Sequence, residues 1–125
     1  VTTDESATLA RQLERIVEVL LRHRFRFSCE KDLQRGVEQA LISCGLSLVR
    51  EKVLSEGERA DFWVAPIAVE VKIKGGLSVV TRQLMRYADL PMVEAVVLVT
   101  TKMQHKNMPP EMRGKPVRVV YLPPM

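Results

Sequence analysis

Residues 59–74 read Arg59-Ala60-Asp61-Phe62-Trp63-Val64-Ala65-Pro66-Ile67-Ala68-Val69-Glu70-Val71-Lys72-Ile73-Lys74, two alternating runs divided by Ala65-Pro66. Val, Ile and aromatic residues at alternate positions favour extended chain, and a Pro between two such runs marks a turn. With a two-residue turn at Ala65-Pro66, Val64 pairs with Ile67, Trp63 with Ala68, Phe62 with Val69 and Asp61 with Glu70. Strand alternation then puts Phe62, Val64, Ile67, Val69, Val71 and Ile73 on a core face, and Asp61, Trp63, Ala68, Glu70, Lys72 and Lys74 on the other. Carboxylates directly opposed across two strands, with Cβ atoms about 4.5–5.5 Å apart, repel unless a cation or a shared proton relieves them. A divalent metal does so, since two carboxylates plus water and a phosphate oxygen are what Mg²⁺ normally takes from a protein. A half-solvated strand shows the same alternation, and a wider turn would move the pairing by a residue or two.

Upstream, Leu9, Leu13, Ile16, Val17 and Leu20 have helical spacing over residues 5–22, with Thr2 and Glu5 placed as a capping box. The run Arg22-His23-Arg24-Phe25-Arg26-Phe27 interrupts that period, and Ser28 is the expected N-cap of a second helix over 29–44, ended by Gly45. Its apolar stripe is Leu33, Val37, Ala40, Leu41 and Cys44, and at about 100° per residue Glu30 falls near the middle of the stripe, Gln34 on its edge and Glu38 off it. A carboxylate facing a core costs several kcal/mol unless paired, hydrogen-bonded or near a metal, so Glu30 is expected to point at something specific. The bland alternative is an acid in the first turn, favoured by the helix dipole and reaching water.

Leu46–Leu54 precedes the two runs as a third strand, and the three form an antiparallel meander. Gly75-Gly76 stops it, Ser78 is placed to cap a helix over 79–90, Pro91 ends that helix, and Ala95–Val99 reads as a buried strand. Residues 102–116 have no period and read as a loop before a last strand, Val117–Leu122. The order is that of an α/β fold with a mixed sheet in one domain, and 125 residues with 46% hydrophobic and 27% charged suffice for one core. No run approaches 18 uncharged apolar residues and the first residues lack the features of a signal peptide, so the expected setting is intracellular, with no membrane partner. Cys29 and Cys44, at either end of the second helix, are too far apart to pair. The formal charge is +4, and residues 61–125 carry the whole excess, a mild bias toward a polyanionic partner.

Asp61 followed by Glu70-Val71-Lys72 on the next strand, with a Glu30-bearing helix before and another helix after, resembles the PD-(D/E)xK nuclease superfamily. Gln83-Leu84-Met85-Arg86-Tyr87 in the latter helix resembles the QxxxY element of the lambda-exonuclease and RecB-like branch. The resemblance spans about residues 28–101, and Ala60 stands where the pattern commonly has Pro. It implies a restriction-endonuclease-like core, α-α-β-β-β-α-β-β, with 28–101 as catalytic core, 1–27 as N-terminal helix and basic connector, and 102–125 as loop and C-terminal strand.

The activity it implies is metal-dependent hydrolysis of phosphodiester bonds in DNA, in a bacterial or phage-infected cytoplasm and a repair or recombination setting. Asp61, Glu70 and the Val71 carbonyl would hold Mg²⁺, with Mn²⁺ a substitute, and Glu30 would complete the outer shell through water, with Glu51 a possible replacement otherwise expected to pair with Arg50, Lys52 or Arg59. Lys72 would orient the attacking water and stabilise developing negative charge. Gln83 would orient a site carboxylate or bind phosphate. Tyr87, Arg86, Lys74 and Gln34 are the expected nucleic-acid contacts, although Tyr87, beside the stripe of Val80, Leu84 and Ala88, also reads as packing. Trp63 could stack on a base or cover the hairpin, and His23 and His105 are expected at the surface. The basic run 22–26 and Lys102, Lys106, Arg113 and Lys115 could track a nucleic-acid backbone. The first helix, with its broad apolar face, covers the sheet or forms a homodimer. The competing reading is a silent nucleic-acid-binding or protein-interaction module on the same fold, whose expected mark is a damaged carboxylate–lysine set.

Overall fold

The computed structural model describes residues 3–123. Helix α1 spans Thr3–Arg22 and α2 Glu30–Ser43; strands β1 (Val49–Ser55), β2 (Glu58–Val64) and β3 (Ile67–Lys72) precede α3 (Leu77–Ala88) and β4 (Ala95–Thr100). A 3₁₀ turn, Met103–Asn107, leads to the short β5 (Glu111–Met112) and to β6 (Lys115–Tyr121). The sheet has six strands in the order β1-β2-β3-β4-β6-β5. β1, β2 and β3 are antiparallel neighbours, β3, β4 and β6 run parallel, and β5 returns antiparallel. The protein is thus an α/β fold with an open mixed sheet and three helices. Among the described residues no helix is long and apolar enough to cross a membrane.

The hairpin forms in the expected register, Phe62 with Val69, Trp63 with Ala68 and Val64 with Ile67. One face of the sheet packs on α1 and α2 through Phe62, Val64, Ile67, Val69 and Val71 against Ile16, Leu20, Leu33 and Leu41. The other face is also covered, by α3, through Ala68, Val96 and Leu98 against Val80, Leu84 and Tyr87. This second face is therefore a core as well and not the solvated face of a half-buried strand, because the parallel pairing of β3 with β4 requires a crossover and α3 is that crossover. Helix α1 covers the sheet: Leu13, Ile16, Val19 and Leu20 are buried on α2 and the strands.

The helix ends differ from expectation in instructive ways. Cys29 occupies the N-cap of α2 with no side-chain cap. Ser28 instead lies one residue outside, where its N–H and hydroxyl both donate to the Asp32 carboxylate, at 3.2 and 2.8 Å, the helix reaching back to the chain. These bonds hold the Asp32 carboxyl below its ordinary pKa. Gly45, at φ +81°, does end α2: its N–H donates to the Ile42 carbonyl at 2.9 Å and that of Leu46 to Leu41 at 3.1 Å, a Schellman closure. Ser78 lies inside α3 rather than capping it, and Gly76 is the N-cap. Residues 102–116 are not featureless, since they hold the 3₁₀ turn and β5. Thr2 of the expected capping box lies outside the described residues, as does Pro124.

Candidate active site

The antiparallel ladder between β2 and β3 stops at Phe62 and Val69, and the next pair is joined by side chains instead of main chain. The Val71 N–H donates to Asp61 Oδ2 at 2.8 Å, and the Asp61 N–H donates to Glu70 Oε1 at 3.3 Å. Asp61 and Glu70 do face each other, therefore, but as reciprocal caps on a strand pair that has begun to part. The alternation of β2 resets at the same place: Ala60 belongs to the core under α3, whereas Phe62, two residues on, belongs to the core under α1 and α2. Across β1 the matching irregularity is Glu51, whose φ of +48° is rare for a residue with a side chain.

Glu70 is 3% exposed and surrounded by donors. Oε1 accepts from the Tyr87 hydroxyl at 3.0 Å as well as from Asp61, and Oε2 accepts from Gln83 Nε2 at 3.1 Å and Lys72 Nζ at 3.2 Å. A carboxylate has about four lone-pair positions, so Glu70 is saturated. Tyr87 is fully buried, accepts from Gln83 Nε2 at 3.0 Å, and lies 2.8 Å from the Arg59 carbonyl. Its single proton thus has two acceptors, the Arg59 carbonyl and Glu70, and which one holds it depends on the charge of Glu70. Burial is also the first cause of the electrostatics. It raises the Asp61 carboxyl to about 7, with the Glu70 charge adding to the rise and the Val71 N–H and Lys72 opposing it. Burial raises Glu70 too, against Lys72, Tyr87 and the Asp61 N–H, and it raises the Tyr87 phenol together with the Glu70 charge.

On the α2 side, Asp61 opens into a cleft of about 200 Å³ lined also by Lys31, Gln34, Arg35, Arg50 and Glu51. Gln34, the expected nucleic-acid contact on α2, lines this cleft with Asp61. Glu30 accepts from the Ile73 N–H at 3.4 Å, so the acid on the core stripe does point at something, the end of β3. Its charge contributes to the rise of Asp61, yet among the described residues no three His, Cys, Asp or Glu side chains gather as a metal-holding group. Glu30 thus stands near enough for its charge to act on Asp61, with one carboxylate oxygen held by the Ile73 N–H. The ligands fit a hard cation at Asp61: its second oxygen has no hydrogen-bond partner among the described residues, and its pKa is raised first by burial and then by the Glu70 charge beside it, both of which a cation would offset. At Glu70 a cation competes with Lys72 for Oε2.

The remaining expected contacts sort by burial. Tyr87 cannot touch nucleic acid, since α3 buries it behind Glu70, and Gln83 holds the carboxylate. Arg86 is exposed but bonded to Glu58 at 2.6 Å, and Lys74 is exposed just past β3. Trp63 is half-buried against the α3 core. His105 is not at the surface: it is fully buried, with Nε2 donating to the Gly75 carbonyl at 2.8 Å and Nδ1 accepting from the Thr100 hydroxyl at 2.6 Å, a clamp on the chain beyond β3. Lys115 and Arg113 are engaged elsewhere, Lys115 with the Ala88 and Leu90 carbonyls at the end of α3 and Arg113 with Asp89. Glu38 is not solvated but pairs with Arg50 at 3.4 Å, which leaves Glu51 with no ion pair among the described residues. Sequence reasoning missed Lys31, Arg35 and Arg50 as cleft residues; their one signal was the i, i+4 spacing of Lys31 and Arg35 on the same helix as Gln34. A larger cavity, about 550 Å³, lies between α1 and the β5–β6 hairpin and holds no paired carboxylates. A scan of family models and searches of curated proteins and of solved structures found no match to this chain.

Proposed function

We propose that the protein is a metal-dependent nuclease hydrolysing phosphodiester bonds in DNA, on a restriction-endonuclease-like core of the PD-(D/E)xK type, with little sequence specificity. The observation that carries this reading is the facing pair of half-buried Asp61 and buried Glu70, joined by the Asp61 N–H donating to Glu70, with Lys72 at 3.2 Å from Glu70, two residues along the same strand. Asp61, Glu70 and the Val71 carbonyl would hold Mg²⁺ or Mn²⁺, which when bound polarises the phosphate and acidifies the attacking water. Lys72 brings an ammonium to the same spot, able to orient that water and to meet charge developing on the phosphate. Gln83 and Tyr87 are positioning residues that hold Glu70, and they account for the QxxxY spacing without any contact to DNA.

The test is cleavage of end-labelled single-stranded, duplex, flapped and four-way-junction DNA with Mg²⁺, Mn²⁺ or EDTA, by wild type, Asp61→Ala and Lys72→Ala. Metal-dependent cutting that both substitutions abolish is the expected result, and the preferred substrate distinguishes end-directed from junction-directed action. The saturation of Glu70 favours a second reading, a DNA-binding module that does not cut. Binding by wild type with no cutting in either metal would establish that one instead.

A further inference from the structure

The basic residues divide into engaged and free. Arg22, Arg35, Arg50, Arg86, Arg113 and Arg118 each pair with an acid. Lys52, Arg59, Arg82 and Lys106 have no ion pair or hydrogen bond from their side chains among the described residues, and neither do five others, Arg24, Arg26, Lys31, Lys74 and Lys102. These five come from separate parts of the sequence, yet the topology gathers them at one end of the sheet. Lys72, Thr100 and Tyr121 stand side by side at the ends of parallel β3, β4 and β6. Lys74 continues from β3 and Lys102 from β4. The connector between α1 and α2 crosses this end: His23, Arg24, Phe25 and Phe27 line a cavity of about 280 Å³ with Tyr121, at β6, while Glu30 bonds Ile73, at β3.

Along the connector burial alternates as in an extended chain, Phe25 buried and Phe27 half-buried, Arg24 and Arg26 both exposed. Arginines two apart in an extended segment are roughly 6.6–6.8 Å apart, about one nucleotide step of a stretched single strand. Neighbouring strands are about 4.8 Å apart, so Tyr121 lies about 10 Å from Lys72, a step or two from the carboxylates. Free cations beside half-buried rings are the make-up of a surface that holds phosphates and stacks an unpaired base.

We propose that this end of the sheet is a track for single-stranded DNA, leading from the carboxylate site past Lys74 and Lys102, with the phosphates held by Arg24 and Arg26 and one base lodged in the cavity between Phe27, His23 and Tyr121. The track deepens the nuclease reading by making the substrate a single strand or a frayed end, and as a route from the carboxylates it rests on that reading. Its cations bind DNA whether or not the site cuts.

The test is fluorescence anisotropy of a labelled twelve-nucleotide oligo-dT and of a duplex of equal length, in EDTA, over a salt series. The proteins are wild type, Arg24→Gln/Arg26→Gln, and Arg11→Gln/Arg113→Gln, which removes the same charge elsewhere; melting curves confirm folding, as all four side chains are exposed. The expected result is that Arg24→Gln/Arg26→Gln weakens oligo-dT binding about tenfold and lowers its log–log salt slope by about 1.4, while the control pair stays near wild type. Equal effects of the two double variants, a duplex bound as tightly as the single strand, or no oligo-dT binding by wild type would each overturn the track. Because binding is read in EDTA, a protein that uses the track but never cuts would refute the nuclease reading alone, and one that cuts with the track variant unimpaired would refute the track alone.

Discussion

At Asp61 the native state holds a carboxyl that prefers its proton, and the consequence is measurable without any substrate. Its folded pKa of about 7 stands above the ordinary carboxyl value of 3.8. Below about pH 4 both folded and unfolded chains hold the proton; between there and pH 7 only the folded chain does, so this contribution to stability is lost as pH rises through the folded value. Asp61→Asn keeps an acceptor for the Val71 N–H and removes the ionisation. We expect it to match wild type in urea denaturation at pH 4 and to exceed it by about 1–3 kcal/mol at pH 8. A difference that does not change with pH would show that Asp61 is not perturbed in this way. Tyr87→Phe removes a fully buried hydroxyl whose partners are the Arg59 carbonyl, Glu70 and Gln83. The expected loss is about 1–3 kcal/mol in thermal unfolding, the cost of buried groups left without a partner, and no loss would mean that water replaces the hydroxyl.

For the elements, propensity and packing give opposite forecasts at Gly36 in α2. Alanine in a helix is favoured over glycine by about 1 kcal/mol. A Cβ there, however, would stand 2.9 Å from Cδ1 of the buried Phe25 ring, so ring or helix must shift. Overpacking costs about 1–3 kcal/mol, and Gly36→Ala is expected to be net destabilising, with Phe25→Leu relieving much of the cost in the double variant. A Gly36→Ala protein more stable than wild type would put the ring elsewhere. Lys115 is similarly specific. Its Nζ donates to the Ala88 carbonyl, the last of α3, at 2.7 Å and to that of Leu90, two residues on, at 2.9 Å, where the helix dipole is negative. Lys115→Met should lower stability by about 1 kcal/mol, an effect that added salt diminishes in wild type but not in the variant.

The whole molecule places its facing carboxylates on two strands that start to separate beneath α3, and a cation bound there should act on the fold as a ligand. If Asp61 and Glu70 hold a divalent ion, Mn²⁺ or Mg²⁺ at a hundred times its dissociation constant stabilises the native state by about 2.7 kcal/mol. The melting temperature of wild type at pH 8 should therefore rise on adding either ion and fall again with EDTA, while that of Asp61→Asn should stay level. An equal response in both proteins would place the ion somewhere other than this pair. The same cation lowers the Asp61 pKa, so in its presence the loss of stability between pH 4 and 7 should shrink.

The hairpin register, the order of the three helices and of every strand but β5, and the faces of β3 were determined by local sequence, because alternation and turn chemistry act over a few residues and leave few arrangements open. Asp61 opposite Glu70 followed from that register, and Glu30 on the stripe of α2 was visible from helical spacing. Only the tertiary structure decided what those groups do. The side chains of Asp61 and Glu70 bond to main-chain N–H groups rather than simply face one another. Tyr87 became a buried support because α3 brings it to Arg59, 28 residues away, and His105 became a clamp by meeting Gly75, 30 residues away. Which cations stay free also depends on which acids the crossovers bring near: Glu58 to Arg86, Asp89 to Arg113, Glu38 to Arg50. Such pairings join residues far apart in the chain, where no period or spacing in the sequence records them.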